Sequence, residues 1–187
     1  MPSIHEVTEV LDINSLVAIY DKQTEAECGL RDLQQHGFDL KKLSILGREH
    51  ETGEHVIGYY CSGVRMKYWG ARGAFWNHSW KVLSAAGYFV LPDIGPVLVG
   101  GPLTTWIVTA LKNALPNSVS APGAALYDIG IPPASIVRYE TAVKMHKILF
   151  IAHGTAQELL AAKAELHDSR PQEVSIHFAD EKVRMAA

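Results

Sequence analysis

Two stretches near opposite ends of the chain follow one plan, and that repetition constrains the fold more than any other feature. "SLVAIYD", residues 15–21, is a short β-branched and aromatic run closing on a turn-forming aspartate, which predicts a buried strand. "KQTEAECGLRDLQQHGF" behind it sets Ala26, Leu30 and Leu33 at helical spacing and stops at Gly37. "DLKKLSILGRE" then offers Leu40, Leu43, Ile45 and Leu46 as a second strand. Far downstream, "KILFIAHG" predicts a central strand and "TAQELLAAKAELHDS" a helix. That helix has Thr155 near its N-cap, Glu158 at the capping-box position, and Leu159, Ala162 and Leu166 on one face. "EVSIHFA" alternates as a closing strand. The order is βαβ, insertion, βαβ. With a right-handed crossover in each half it predicts an α+β, ferredoxin-like split βαβ fold, four antiparallel strands with both helices on one face.

The expected organisation is an N-terminal arm (1–14), the two halves of the α+β domain (15–49 and 147–178), an inserted hydrophobic helical region (50–146) and a C-terminal tail (179–187). The insertion is too long for a connection without structure of its own. "EHVIGYYCSG" is expected to extend the sheet as a hairpin arm, and "MKYWGARGAFWNHSWKVLSAAGYFVL" predicts a helix rich in tryptophan and small residues. "GPLTTWIVTALKNAL" predicts a second helix, with Pro102 at its first turn and Pro116 at its end. "PGAALYDIG" leads into "IPPASIVRYETAVKMHK", where Pro132 and Pro133 open a helix carrying Ile136, Tyr139, Glu140 and Val143.

Within this insertion "PDIGPVLVGGPLTTW", residues 92–106, carries one charge, Asp93, and none follows until Lys112. A spanning helix needs about 20 mostly apolar residues. Pro96 and Pro102 leave only 103–115 as good helix, about 20 Å against a hydrocarbon core of about 30 Å. The segment can be buried against copies of itself, dip into a membrane, or cover its own sheet. The expectation is the first: it is too broken to cross a bilayer and too oily to face water, so neighbouring subunits shelter it in a long apolar helical hairpin. The surface assigned to oligomerisation or to a lipophilic ligand comprises Trp69, Phe75, Trp76, His78, Trp80, Tyr88, Phe89, Ile94, Val97, Leu98, Leu103, Trp106 and Ile107. Its aromatic residues have three readings: core packing, anchoring between subunits, or a chamber for a molecule such as a quinone or lipid tail.

Composition narrows the classes further. Apolar residues at 48% and charged residues at 20% exclude a disordered acidic chain. A net charge of −3 and a pI near 6.3 provide no field for nucleic acid, which is not an expected partner. The two cysteines, Cys28 and Cys61, stand outside any CxxC, so free thiols in a reducing cytoplasm are expected, and the first residues do not read as a secretory signal.

No motif supplies an active site. Among nine histidines, His50 with His55 near Glu51 and Glu54, and His146 with His153, are the metal candidates, yet no HxxxH on a helix or HxH on a strand occurs and no metal is assigned. His78, beside Trp76 and Trp80, is read as a helix-end residue bonded to a carbonyl rather than as a functional group. "GPVLVGGPL" lacks a GK[ST] ending and no GxSxG appears, so neither a phosphate cradle nor a nucleophile elbow is present. Tyr139 is expected to pack in its helix with Glu140 solvated, and Arg138 and Lys144 to pair with acidic groups at small benefit. No catalytic residue and no cofactor is assigned.

"YWGARGAFW", "PDIGPVLVGGPL", "IPPASIVRYETAVK" and "FIAHGTAQE", in that order, make the chain resemble the bacterial heat-induced general stress protein family. Within it the chain is most similar to the proteobacterial members that carry a Gly-rich hydrophobic segment and are often labelled permeases or membrane proteins. The similarity covers residues 16–166. It implies an association with stress and a βαβ-type domain, and no catalytic residues. Asn77, His78, Ser79, Trp80 and Lys81 stand where relatives carry an unbroken Gly-rich apolar helix, and Lys112, Asn113 and Pro116 interrupt the second stretch. The expected function is a non-catalytic, self-assembling scaffold or adaptor in the cytoplasm, a homo-oligomer connected with stress. The alternatives are a membrane-associated protein at the inner membrane whose hairpin enters lipid, and a binder of a lipophilic small molecule.

Overall fold

The computed structural model describes residues 14–48, 55–57, 67–69, 73–91, 94–113 and 120–179. Along the chain run β1 (Asn14–Tyr20), α1 (Gln23–Gln35), β2 (Leu43–Arg48), β3 (His55–Ile57), β4 (Lys67–Trp69), α2 (Gly73–Val82) and β5 (Ala86–Leu91). Then follow β6 (Gly95–Gly100), α3 (Leu103–Asn113), α4 (Ala121–Asp128), α5 (Pro133–Lys144), β7 (Ile148–Gly154), α6 (Ala156–Glu165) and β8 (Glu173–His177). Six strands form one sheet in the order β5-β6-β2-β7-β1-β8, and every neighbouring pair is antiparallel. The chain is therefore mixed α+β, with helices on both faces of an antiparallel sheet.

The period of two in each strand divides the core. On one face Leu16, Ala18 and Tyr20 of β1, Leu43 and Ile45 of β2, and Ile148 and Phe150 of β7 meet α1, α6 and α2. On the other, Val17, Ile19, Leu46, Leu149 and Ile151 meet α3, α4 and α5. Burial on both faces explains why β1, β2 and β7 read as continuous apolar runs rather than as alternating ones.

Local signals hold at the two halves. Thr155 and Glu158 form the capping box of α6: Thr155 Oγ1 accepts from the Glu158 amide at 3.2 Å, and the Thr155 amide donates to Glu158 Oε2 at 2.8 Å. Pro133 opens α5, and Pro102 precedes α3, where the sequence placed them.

The insertion departs from expectation. The described part of the stretch 66–91, read as one long helix, is instead β4, α2 and β5, and 95–100 is a strand, so no long apolar helical hairpin forms among the described residues. The cause is pairing. Gly87, Phe89 and Leu91 face α3 while Tyr88 faces α2, and β6 offers an open edge to register against, from Ala86↔Gly100 to Leu91↔Gly95. Of the hairpin arm expected to extend the main sheet, residues 55–57 are described; they form β3, which pairs with β4 in a separate two-stranded ribbon.

At Gly101 the chain leaves β6 for α3 with φ at +87°, and a Cβ there would stand 2.1 Å from the Leu43 carbonyl oxygen. Only glycine fits both conditions. The turn is fixed from β2 as well, because Ser44 Oγ accepts from the Leu103 amide at 2.9 Å.

Candidate functional site

The residues assigned to an assembly or ligand surface are largely inside the subunit. Phe75 and Trp76 of α2, Leu98 of β6, Ile94 and Val97, and Leu103 and Ile107 of α3 are all buried. Trp80 is half-buried, its Nε1 donating to the Val99 carbonyl at 3.0 Å and its ring centroid 6.0 Å from that of Trp76. Tyr88 and Phe89 are half-buried on opposite faces of β5. Trp106 packs edge-on to His153 with centroids 5.4 Å apart. His78 is exposed within α2 rather than at its end. Trp69 lies in β4, opposite His55. The premise that neighbouring subunits must shelter this segment is thereby corrected: its own sheet, lengthened by β5 and β6, shelters it. Cys61, His50, residues 1–13 of the arm and residues 180–187 of the tail lie outside the described residues.

Polar side chains collect in three places. At one end of the sheet His153 has its Nδ1 buried without a hydrogen-bond partner; burial, and secondarily the Lys42 charge, pushes its pKa down and favours the neutral imidazole. At β8 the Tyr139 hydroxyl lies 2.7 Å from His177 Nε2, both buried, and burial pushes the Tyr139 hydroxyl up. Arg138 next to it pairs with Glu173 at 3.0 Å. Glu140, expected to be solvated, instead accepts from the Ser120 hydroxyl that caps α4, which fixes α4 against α5.

The third place is a groove of about 240 Å³ between the end of α1 and α6, walled by Leu33, Phe38, Ala161 and Ala162. His36 Nδ1 stands 3.0 Å from Glu165 Oε2 at one side, and Lys42 Nζ 2.8 Å from Glu158 Oε1 near the other. The Lys42 ammonium, with the Thr155 amide, holds the Glu158 carboxyl down at about 2. Sequence spacing could not reveal the Lys42–Glu158 pair, since the two residues come from opposite halves of the chain.

A metal ion needs ligands that converge. Among the described residues no group of three or more His, Cys, Asp or Glu side chains could hold a metal ion. Beneath α4 and α5, among Leu46, Val97, Leu126, Tyr139 and Leu149, lies a cavity of about 10 Å³, room for about one water and not for a lipid tail or quinone. Among the described residues no helix is long and apolar enough to cross a membrane.

What the surface does offer is an open strand edge. Among the described residues β5 pairs only with β6, and Val90 on it is 71% exposed. The sequence reading missed it, because 86–91 stood there as the tail of a helix. No protein-family model matches the chain, and no curated protein or solved structure matches it either.

Proposed function

We propose that the protein is a non-catalytic, self-assembling scaffold or adaptor whose copies join through the inserted region 50–146. The observation that carries this reading is where apolar surface is left uncovered. Among the described residues Val90, Leu111, Tyr127, Val137 and Met145, all in that region, are large and exposed, whereas the two halves of the repeat contribute only Leu160. Those in the inserted region are carried by β5, α3, α4 and α5 and the residue after α5, and exposed apolar side chains favour association where they adjoin. The insertion thus serves assembly by what it leaves outside, rather than by the residues first assigned to that role.

The finer fold reading belongs to the same proposal. We read β1-α1-β2 and β7-α6-β8 as a ferredoxin-like split βαβ core, supported by β1 and β7 lying side by side at its centre with α1 and α6 on one face. On this reading β5 and β6 widen that core and α3, α4 and α5 close its second face. The resemblance to general stress proteins supports a role connected with stress.

Size-exclusion chromatography with light scattering tests the assembly. A mass above that of one chain is the expected result, and a monomer from micromolar to millimolar concentration overturns the reading. A peripheral contact with lipid would draw on the same exposed side chains, and flotation with anionic and neutral vesicles distinguishes it: protein that floats while remaining monomeric favours lipid.

A further inference from the structure

The two edges of the sheet are defended differently. At β8 the edge strand carries Glu173, Ser175 and His177, and Glu173 is held by Arg138 at 3.0 Å. Charge on an edge strand is a common defence against pairing with another chain. At the opposite edge β5 reads "AGYFVL", with no charge and no proline, and it runs in unbroken register with β6 from Ala86 to Leu91, so no bulge turns it away.

The direction of its main-chain groups follows from the ladder. The Gly101 amide donates to the Ala85 carbonyl at 2.8 Å, which makes 85 and 101 a hydrogen-bonded pair just beyond Ala86↔Gly100. Pairs that exchange bonds alternate with pairs that do not. Gly87, Phe89 and Leu91 therefore bond inward to β6, and Ala86, Tyr88 and Val90 direct their main-chain groups toward the outer edge. Pro96 agrees with this phase: it stands opposite Val90 and has no N–H to give it.

We propose that the outer edge of β5 is the site where a second copy of this chain docks. The two β5 strands pair antiparallel about a two-fold axis, Ala86 of one copy opposite Val90 of the other, to form one continuous sheet across the dimer. An uncharged strand is complementary to itself when run antiparallel, with no like charges brought face to face. The two-fold closes the assembly at a pair of subunits, since among the described residues the six-stranded sheet has one such edge and its other edge, β8, is charged. Pairing also covers Val90, the most exposed large hydrophobic residue among those described. This inference rests on the assembly reading above and adds the interface.

The test uses the full chain and two variants, Val90→Pro and Val90→Lys. Because the Val90 N–H points outward, proline there removes a donor from the interface and none from the ladder with β6. The expected result is that light scattering shows the mass of the wild type falling by half in both variants, with far-UV circular dichroism unchanged. Hydrogen exchange on the wild type gives a second readout: the Ala86 and Val90 amides slow as concentration rises through the dimerisation range. A wild type that is oligomeric, with folded variants of unchanged mass or with those amides fast at every concentration, overturns the interface and leaves assembly standing. A wild type that stays monomeric overturns both. Should the variants unfold, the exchange measurement decides alone.

Discussion

The indole of Trp80, on α2, donates to the backbone carbonyl of Val99, on β6, across 3.0 Å. Both belong to the insertion, and the bond ties its first helix to its inner strand over the sheet face where Trp76 is fully buried. That single contact shows how the apolar segment is housed: helix, strand and strand from one stretch of sequence cover each other.

Trp76 is the larger contributor to this packing. Trp76→Ala is expected to destabilise the fold by about 3–5 kcal/mol through lost contacts and a cavity. Trp80→Phe keeps most of the ring and removes the indole's bond to the Val99 carbonyl, which keeps its ladder partner Gly87, at about 1 kcal/mol. Urea unfolding of both variants gives the ranking, and equal losses would contradict this division of roles.

Gly101→Ala is expected to be more damaging than an ordinary surface change. It places a methyl group against the Leu43 carbonyl and forces an L residue to a φ of +87°. The cost should exceed about 1 kcal/mol, seen as a lower denaturation midpoint. Gly37→Ala, also at positive φ but with open space around its Cβ position, serves as the comparison and is expected to be the milder of the two.

The acid and alkaline limbs of stability belong to different residues. Glu158 is held at about 2 against an ordinary value of 4.5, so its contribution is present above pH 4.5 and is lost as pH falls toward 2. Glu158→Gln should flatten the melting temperature across that window. Burial pushes the Tyr20 hydroxyl, 2.7 Å from Ser169 Oγ, up to about 12 from 10.0. Its contribution is present below pH 10 and disappears as pH rises toward 12. Tyr20→Phe should remove that alkaline loss, while Ser169 Oγ keeps the Leu166 carbonyl as a partner. Thermal melts across pH check both limbs.

Where a signal is local, it was readable in the residues themselves. Thr155 with Glu158, the apolar spacing of Ala26, Leu30 and Leu33, and the β-branched run of β1 fix a cap, a helix face and a strand within a few residues, and all three are where the sequence put them. The two repeated halves were legible for the same reason. What remained hidden was the state of 86–91 and 95–100. Ala86, Tyr88 and Leu91 suit either a helix or a strand, and Pro96 and Gly100 read as interruptions. Only the edge of β2, which pairs Ile45 with Gly100 and Arg48 with Val97, gives those residues a ladder to join. Partners so far apart in the chain cannot be read from spacing. The tertiary structure therefore decided that the apolar stretch lies within its own sheet, that Lys42 meets Glu158, and that β5 is left with an outward edge.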